Sequence, residues 1–250
     1  MKAIVTGASG GLGLEFAKLL AGDGHDLVLV ARSAEKLESL ATLLRSQHHV
    51  KVEVIAQDLG VTGAAARLVE RAPSCDILVN NAGFASNGPF DRIPPERVRE
   101  ELLLDVVTLT ELTRSYLPGM RERRNGRVLN VASTAAFLPG PFMAVYYASK
   151  AYVLSFSQAL AEELRGSGVT VTALVPGATA TGFADRAEVT KTLLFRLPTA
   201  DAAPVAKAGY RGMMAGKDLV IPGLSNQVLA SLMRFMPRRL LLWISRKLTE

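Results

Sequence analysis

The sequence predicts an α/β protein with a doubly wound parallel sheet, and two patterns lead to this prediction. Six short apolar runs alternate with helix-length segments along the 250 residues. Each run is continuous rather than alternating with polar residues, which is typical of strands covered on both faces. The predicted strands are residues 3–6, 27–31, 52–56, 77–80, 127–131 and 170–175.

Helix-length segments separate these strands, so right-handed crossovers are expected to give a Rossmann-like sheet. No break in composition indicates a second unit, and we predict that residues 1–250 form a single domain. Residues 178–198 form a long connection at the carboxyl end of the sixth strand, where such sheets bind ligands, and are predicted to be a substrate lid. The predicted helices are residues 12–22, 34–46, 62–71, 95–120, 144–166 and 200–214.

Composition excludes several kinds of site. The single cysteine, Cys75, excludes an intramolecular disulfide, and the three histidines lack the spacing of metal ligands. The net charge of +6 is spread along the chain without a nucleic-acid motif, so no nucleic-acid partner is expected. Met1 leads almost directly into an apolar strand without a secretory leader, and a cytoplasmic location is therefore expected.

A glycine-rich turn joins the first strand to the first helix. Glycine allows a sharp turn and close approach of the backbone, while exposed N–H groups and the positive helix end stabilise a phosphate. We therefore predict a pyrophosphate cradle, with a ligand-free strand–helix corner as the alternative. The predicted contact residues are Gly7, Ser9, Gly10, Gly11, Leu12 and Gly13.

The end of the second strand indicates which dinucleotide the cradle would hold. An acidic residue there would bind a ribose 2′-hydroxyl, but the sequence has Ala31 followed by Arg32 and Ser33. An arginine with neutral neighbours suits a 2′-phosphate. The prediction is NADP(H), bound in part by Arg32 and Ser33; the alternative is a solvated arginine at a helix start.

Two adjacent tyrosines precede a lysine in the sequence "AVYYASK". Tyr146 and Tyr147 lie four and three residues before Lys150, and on a helix either phenol could reach the ammonium. Helical geometry favours Tyr146 only slightly. The spacing alone therefore leaves both tyrosines as candidates.

Further motifs follow in a characteristic order. The glycine turn is followed by N-N-A-G at residues 80–83, by Ser133, by Y-x-x-x-K ending at Lys150, and by Pro176-Gly177. Together they resemble the short-chain dehydrogenase/reductase family of the NADP(H)-preferring type, over essentially the entire chain. The resemblance implies an oxidoreductase that interconverts a carbonyl and a secondary alcohol, commonly as a homodimer or homotetramer. It also implies that Tyr146, not Tyr147, is the general acid/base.

The resemblance implies further cofactor contacts beyond the glycine turn. Asn80 has an alternative role, tying neighbouring strands through its amide, and Pro176-Gly177 would end a strand in any fold. Tyr146 and Lys150 also contact the cofactor in this family. The other implied contacts are Asp58 and Leu59 at the adenine, Asn80, Ala82 and Gly83 at its ribose, and Pro176, Gly177 and Thr181 at the nicotinamide.

Carbonyl reduction needs a proton donor and a second hydrogen bond for the oxygen, which Tyr146 and Ser133 would supply. Lys150 is expected to favour the phenolate by lowering the pKa of Tyr146. Asp105 stands where many relatives have a relay asparagine, and its carboxylate would raise the pKa of Lys150 if the two lie close. Asp105 could instead only cap or bend its helix. A catalytically weak NADP(H)-binding regulatory protein is the alternative function.

The substrate region and the tail are both apolar. Residues 222–250 combine apolar positions with five basic residues, too interrupted to span a bilayer. We expect this tail to pack on the protein or to extend a dimer interface; peripheral membrane contact or a cover over the active site are alternatives. An apolar substrate is predicted from Phe84, Ala135, Phe137, Leu138, Pro139, Phe142, Met143, Phe183, Leu193 and Phe195.

Overall fold

The computed structural model describes residues 1–181, 199–233 and 235–249, and its centre is a seven-stranded parallel sheet. The strand order is β3-β2-β1-β4-β5-β6-β9, which confirms the predicted doubly wound α/β fold. A separate pair, β7 and β8, is also parallel. The strands are β1 Lys2–Thr6, β2 Asp26–Ala31, β3 Val52–Ala56, β4 Ile77–Asn80, β5 Gly126–Val131, β6 Val169–Leu174, β7 Thr179–Ala180, β8 Ala200–Asp201 and β9 Leu219–Val220.

Helices cover both faces of the large sheet. Two turns of 3-10 helix lie at Phe90–Arg92 and Thr134–Phe137, and a π-helical segment at Leu103–Thr108 separates α4 from α5. The α-helices are α1 Gly11–Gly22, α2 Ala34–His48, α3 Ala64–Arg71, α4 Pro95–Leu102, α5 Leu109–Glu122, α6 Ala144–Glu163, α7 Ala202–Met214, α8 Leu224–Met233 and α9 Arg238–Thr249.

The apolar strands contribute side chains to two hydrophobic cores, one on each face of the sheet. Successive side chains of a strand point to opposite faces, so Ala3 and Val5 of β1 enter one core while Ile4 enters the other. Phe16 and Leu20 of α1 cover the first core, and Leu68 of α3 helps to cover the second. Both faces of β1 are therefore shielded, which is why its sequence shows no polar alternation.

The structure corrects three details of the predicted order. The seventh strand, β9, has only two residues and was not predicted. The β7–β8 pair was also missed, and the helix predicted for residues 95–120 is divided by the π-helical segment. Residues 182–198, most of the predicted lid, lie outside the described residues.

The tail forms α8 and α9, which pack against the body of the protein through one face. Ala230, Leu241 and Ser245 are among its buried side chains, and the Arg246 guanidinium lies 5.7 Å from the Phe142 ring centroid. The opposite face is exposed, with Trp243 at 62%. Across the residues that the structure describes, no helix has the length and apolar character needed to cross a membrane.

Candidate active site

The carboxyl ends of β1 and β4 are fastened together by one hydroxyl group. Thr6 Oγ1 donates a hydrogen bond to the Val79 carbonyl at 3.2 Å and accepts from the backbone N–H groups of Asn81 and Ala82 at 2.9 and 3.0 Å. The Asn81 side chain in turn donates to the Thr6 carbonyl at 2.9 Å. The glycine turn and the N-N-A-G loop therefore form one rigid edge.

The glycine turn has the shape of a phosphate cradle. Gly7 and Gly11 adopt φ of 69° and 56°, values that favour glycine, and α1 begins at Gly11. A Cβ on Gly13 would overlap the Gly7 carbonyl, whereas a Cβ on Gly10 would meet no atom within 4 Å. The turn is thus tightly packed at Gly13 and open at Gly10, next to the N-terminus of α1. An anionic group needs such open space at a helix N-terminus. Ser9 and Leu12 are half-buried beside it.

The ends of β2 and β3 carry the predicted adenosine contacts. Arg32 is exposed, and Ser33 caps α2 by accepting a hydrogen bond from the Lys36 N–H at 3.5 Å. Asp58 is exposed and accepts from the Gly60 N–H at 2.8 Å, while the Leu59 side chain is buried. The Arg32 guanidinium is therefore accessible to a ligand at the end of β2.

Asn80 shows the structural role that was considered for it. Its side chain is buried and donates to Asn130 Oδ1 at 2.9 Å and to Thr113 Oγ1 at 3.1 Å, joining β4 to β5 and α5. Ala82 and Gly83 lie next to it, half-buried, on the loop that leads to the lysine described below. The amide group of Asn80 is therefore used inside the protein, and its predicted contact with a cofactor ribose stays a prediction.

The ends of β5 and β6 meet at Ser133 and Pro176. Ser133 Oγ accepts a hydrogen bond from the Ala135 N–H at 3.1 Å, and the Thr134 N–H donates to the Pro176 carbonyl at 2.9 Å. Gly177 faces the tail, because a Cβ there would lie 2.8 Å from the Asn226 side chain. Thr181 faces the glycine turn, 3.0 Å from where a Gly11 Cβ would stand. Of the predicted nicotinamide contacts, Thr181 therefore lies beside the glycine turn, whereas Gly177 lies against the tail.

Tyr146 and Lys150 share one flank of α6. The Lys150 ammonium lies 5.4 Å from the Tyr146 ring centroid, and the Ser133 side chain is near enough to lower the pKa of the Tyr146 phenol. Tyr147 points elsewhere, 5% exposed and packed against Gly140 in a small cluster with Ala85 and Met143. Only Tyr146 of the two phenols thus adjoins both the serine and the lysine.

Asp105 forms an ion pair with Lys150. Its Oδ2 lies 3.0 Å from the Lys150 ammonium, and its Oδ1 accepts a hydrogen bond from the Phe84 N–H at 3.1 Å. The ammonium also donates to the Val131 carbonyl at 3.3 Å. Asp105 occupies the π-helical segment, where the widened turn places the carboxylate toward α6. Asp105 therefore does more than bend a helix.

Burial and charge set the titration of these three groups. Burial raises the pKa of Tyr146, although Lys150 and Ser133 oppose the increase, so the expected net lowering by Lys150 is not reached in this structure. Burial lowers the pKa of Lys150, but the negative charges of Asp105 and Tyr146 together raise it by more than burial lowers it. The net shift of the Lys150 pKa is therefore upward. Burial likewise raises the pKa of Asp105 against the attraction of Lys150. The lysine therefore stays an ammonium.

A family model described as short chain dehydrogenase matches residues 1–191. The chain belongs to this family. The match confirms the resemblance inferred from the motifs and places the chain among oxidoreductases, as predicted.

Individual family members agree with this assignment. An uncharacterized oxidoreductase of Bacillus subtilis, YvaG, is 35% identical over 212 residues, which cover 84% of this chain and 78% of that protein. A very-long-chain 3-oxoacyl-CoA reductase of Rattus norvegicus is 34% identical over 73% of this chain, but the match spans only 60% of the rat protein. A short-chain dehydrogenase from Sphingobium yanoikuyae, solved in complex with NADPH, has 32% identity and a TM-score of 0.83, covering 95% of this chain and 96% of that one.

One polar residue of this short-chain dehydrogenase site was missed from the sequence. Glu101 lies four residues before Asp105 and is fully buried, with Oε2 accepting a hydrogen bond from the Ser86 N–H at 3.0 Å. Its neighbour in the sequence, Glu100, is exposed. A four-residue spacing from Asp105 was the only signal that could have indicated a shared face.

Proposed function

We propose that this protein is an NADP(H)-dependent oxidoreductase that interconverts a carbonyl and a secondary alcohol, with Tyr146 as general acid/base. The observation that carries the proposal is the grouping of Tyr146, Lys150 and Ser133 at the open end of the sheet. A phenol with both a cation and a hydrogen-bond partner can exchange a proton with a substrate oxygen. Tyr147 lacks this arrangement.

The residues present fit a phosphorylated dinucleotide. The glycine turn leaves open space at Gly10 in front of a helix N-terminus, and Arg32 offers an exposed cation at the end of β2. The Sphingobium yanoikuyae relative was solved with NADPH, which supports the same choice here. When bound, NADPH supplies the hydride. The proposed holding residues are those predicted from the sequence: the glycine turn, Arg32, Ser33, Asp58, Leu59, Asn80, Ala82, Gly83, Tyr146, Lys150, Pro176, Gly177 and Thr181.

The side chains of this site divide the work of the reaction. In reduction, Tyr146 donates its proton to the substrate oxygen, and Ser133 donates a second hydrogen bond that stabilises the developing negative charge. Lys150 stabilises the resulting phenolate by its positive charge. Asp105 fixes the lysine in place through the 3.0 Å ion pair. In oxidation the Tyr146 phenolate instead accepts the proton of the substrate hydroxyl group, while Lys150 and Asp105 keep the same roles.

An apolar substrate is proposed from the side chains around Tyr146. Ala135 and Met143 are buried there, and Phe84 and Phe142 are half-buried. The name of the rat relative, a 3-oxoacyl-CoA reductase, is consistent with a substrate that has an aliphatic chain. Phe183, Leu193 and Phe195, also predicted to line this pocket, lie outside the described residues.

The decisive experiment compares the two tyrosines. Tyr146→Phe removes the proton donor and is expected to lower NADPH-dependent ketone reduction by about a thousandfold or more, with NADPH affinity nearly unchanged. Tyr147→Phe, the matched control, is expected to keep most of the activity. Steady-state rates over a ketone panel and fluorescence titration with NADPH measure both quantities.

Two other results would contradict the proposal. Wild-type turnover by Tyr146→Phe together with loss in Tyr147→Phe would reverse the assignment. NADPH binding by the wild type without turnover of any ketone or alcohol would favour the regulatory protein instead. The latter alternative gains no specific support from the structure, because the serine, tyrosine and lysine are assembled.

The outer face of α8 and α9 supports peripheral contact with an anionic membrane surface, which we propose as its role. The segment 222–250 has five basic residues and one acid, and its exposed face carries Phe235 and Trp243. The cytoplasmic location, the single domain and the homodimer or homotetramer stay predictions.

A further inference from the structure

Glu101 is a buried acid that the proposed reaction does not require. Glu101 is 0% exposed, whereas the other acids of α4, Glu96 and Glu100, face solvent. Its known hydrogen bond, from the Ser86 N–H at 3.0 Å, comes from the loop that follows N-N-A-G. Burying a carboxyl group costs stability unless the environment offers compensation, so its location beside the active site calls for a physical explanation.

The groups around Glu101 belong to three elements. Asp105 follows it by four residues on the same helical run and pairs with Lys150 of α6 at 3.0 Å, and Ser86 faces it from the loop. Its charge interacts with those of Asp105, Lys150 and Tyr146. On α4 itself, Arg97 places its guanidinium over the Phe84 ring, 4.2 Å from the centroid.

Charge balance determines the state of Glu101 in this cluster. Lys150 contributes one positive charge, and Asp105 neutralises it at 3.0 Å. A second buried carboxylate would leave the described cluster with a net negative charge, which a low-dielectric interior disfavours. The ion pair therefore favours the protonated, neutral form of Glu101.

We propose that Glu101 is a positioning residue that controls the proton exchange of Tyr146 by its own charge. Protonated, it leaves the Asp105–Lys150 pair balanced; ionised, it adds a negative charge that disfavours the Tyr146 phenolate. This inference rests on the proposed role of Tyr146. Burial raises the pKa of Glu101 to about 7, so the change of charge occurs near neutrality.

The two reaction directions respond differently to this charge. Reduction starts from the protonated phenol, whereas oxidation of an alcohol needs the phenolate as a base. An ionised Glu101 therefore opposes oxidation and delays it to higher pH. Removing its charge makes the phenolate available at lower pH.

The kinetic test uses Glu101→Gln, with Glu100→Gln as the control because it removes the same charge from the exposed neighbour. The pH dependence of kcat/KM for alcohol oxidation is measured for both variants and the wild type. The rising limb of Glu101→Gln is expected to move to lower pH by about half a unit or more, while Glu100→Gln follows the wild type. Coincident profiles for all three proteins would overturn the proposal, since a purely structural glutamate would change rates without moving the limb.

A second test uses only the wild-type protein and does not depend on measuring enzyme activity. The side-chain carboxyls of the cofactor-free wild type are followed by ¹³C NMR during a pH titration. A glutamate with a midpoint of about 7 is expected. If every glutamate instead titrates below about pH 5, the proposal is overturned. Inactivity of the wild type on every alcohol and ketone would contradict the proposed function but leave this titration unaffected.

Discussion

The ion pair between Asp105 and Lys150 depends on a residue that makes no hydrogen bond to it. A Cβ on Gly83 would lie 3.0 and 3.2 Å from the two Asp105 carboxylate oxygens and 3.2 Å from the Lys150 ammonium. The backbone of Gly83 has no unusual φ, so space rather than conformation requires glycine here. The loop and the ion pair are therefore packed in direct contact.

Gly83→Ala is expected to displace this ion pair by a few tenths of an ångström. We expect kcat/KM for ketone reduction to fall about tenfold, with a stability loss of about 1 kcal/mol, because the lysine and tyrosine lose their alignment. Gly22→Ala is the control, since its Cβ would meet only the His48 ring at 3.9 Å. Equal kcat/KM for the two variants would show that the space at Gly83 does not constrain catalysis.

Single residues also show where sequence reasoning ends. The effect of Asp105 on the pKa of Lys150 could be anticipated, because a carboxylate near an ammonium raises its pKa whatever the fold. Glu101 could not be distinguished from Glu100, because the sequence does not say which side of a helix meets α6. The inward orientation of Asn80 likewise depends on Asn130 and Thr113, which are far away in the chain.

At the scale of elements, the π-helical segment is the feature that the sequence hides. Residues 95–120 read as one helix, and no proline or glycine interrupts them between Pro95, at the helix start, and Pro118. The wider turn is set by tertiary contacts instead: Thr108 donates to the Leu59 carbonyl at 2.9 Å, and Asp105 pairs with Lys150. The strands were easier to predict from the sequence, because a strand that is buried on both faces is a continuous apolar run. The two-residue strand β9 is too short to give this signal.

The tail helices allow a test of the proposed membrane contact. Arg238→Glu combined with Arg239→Glu reverses two exposed charges on α9. Full-length wild-type protein is expected to co-sediment with phosphatidylcholine vesicles containing about 30% phosphatidylserine, and the double variant to lose most of this binding. The matched control reverses Arg114 and Arg121, which are exposed on α5. Equal sedimentation of the two double variants would argue against the tail as the lipid contact.

At the scale of the whole molecule, Glu101 links folding stability to pH. Its pKa in the folded protein is about 7, above the ordinary 4.5, so the folded state holds the proton more strongly than the unfolded chain. Its favourable contribution is therefore full below about pH 4.5 and is lost as pH rises toward 7, a change of about 3 kcal/mol at most.

Glu101→Gln is expected to abolish this loss. The free energy of unfolding, measured with urea at about pH 5 and about pH 8, should fall by about 1 to 3 kcal/mol more in the wild type than in the variant. Asp105 and Lys150 are present in both proteins, so the comparison reports the titration of Glu101 together with its coupling to these two groups. Glu100→Gln should behave as the wild type does. A parallel decline in Glu101→Gln would mean that Glu101 ionises as freely in the folded chain as in the unfolded one.

The three hydrogen bonds of the Thr6 hydroxyl have a wider consequence. They join the glycine turn, the proposed phosphate cradle, to the loop that ends in Gly83, and Gly83 lies against Lys150 of the proposed catalytic group. We therefore expect that binding of an anion at the glycine turn and alignment of the Lys150 ammonium depend on each other. Replacing the Thr6 hydroxyl group by a methyl group would therefore disturb the glycine turn and the Lys150 ammonium together.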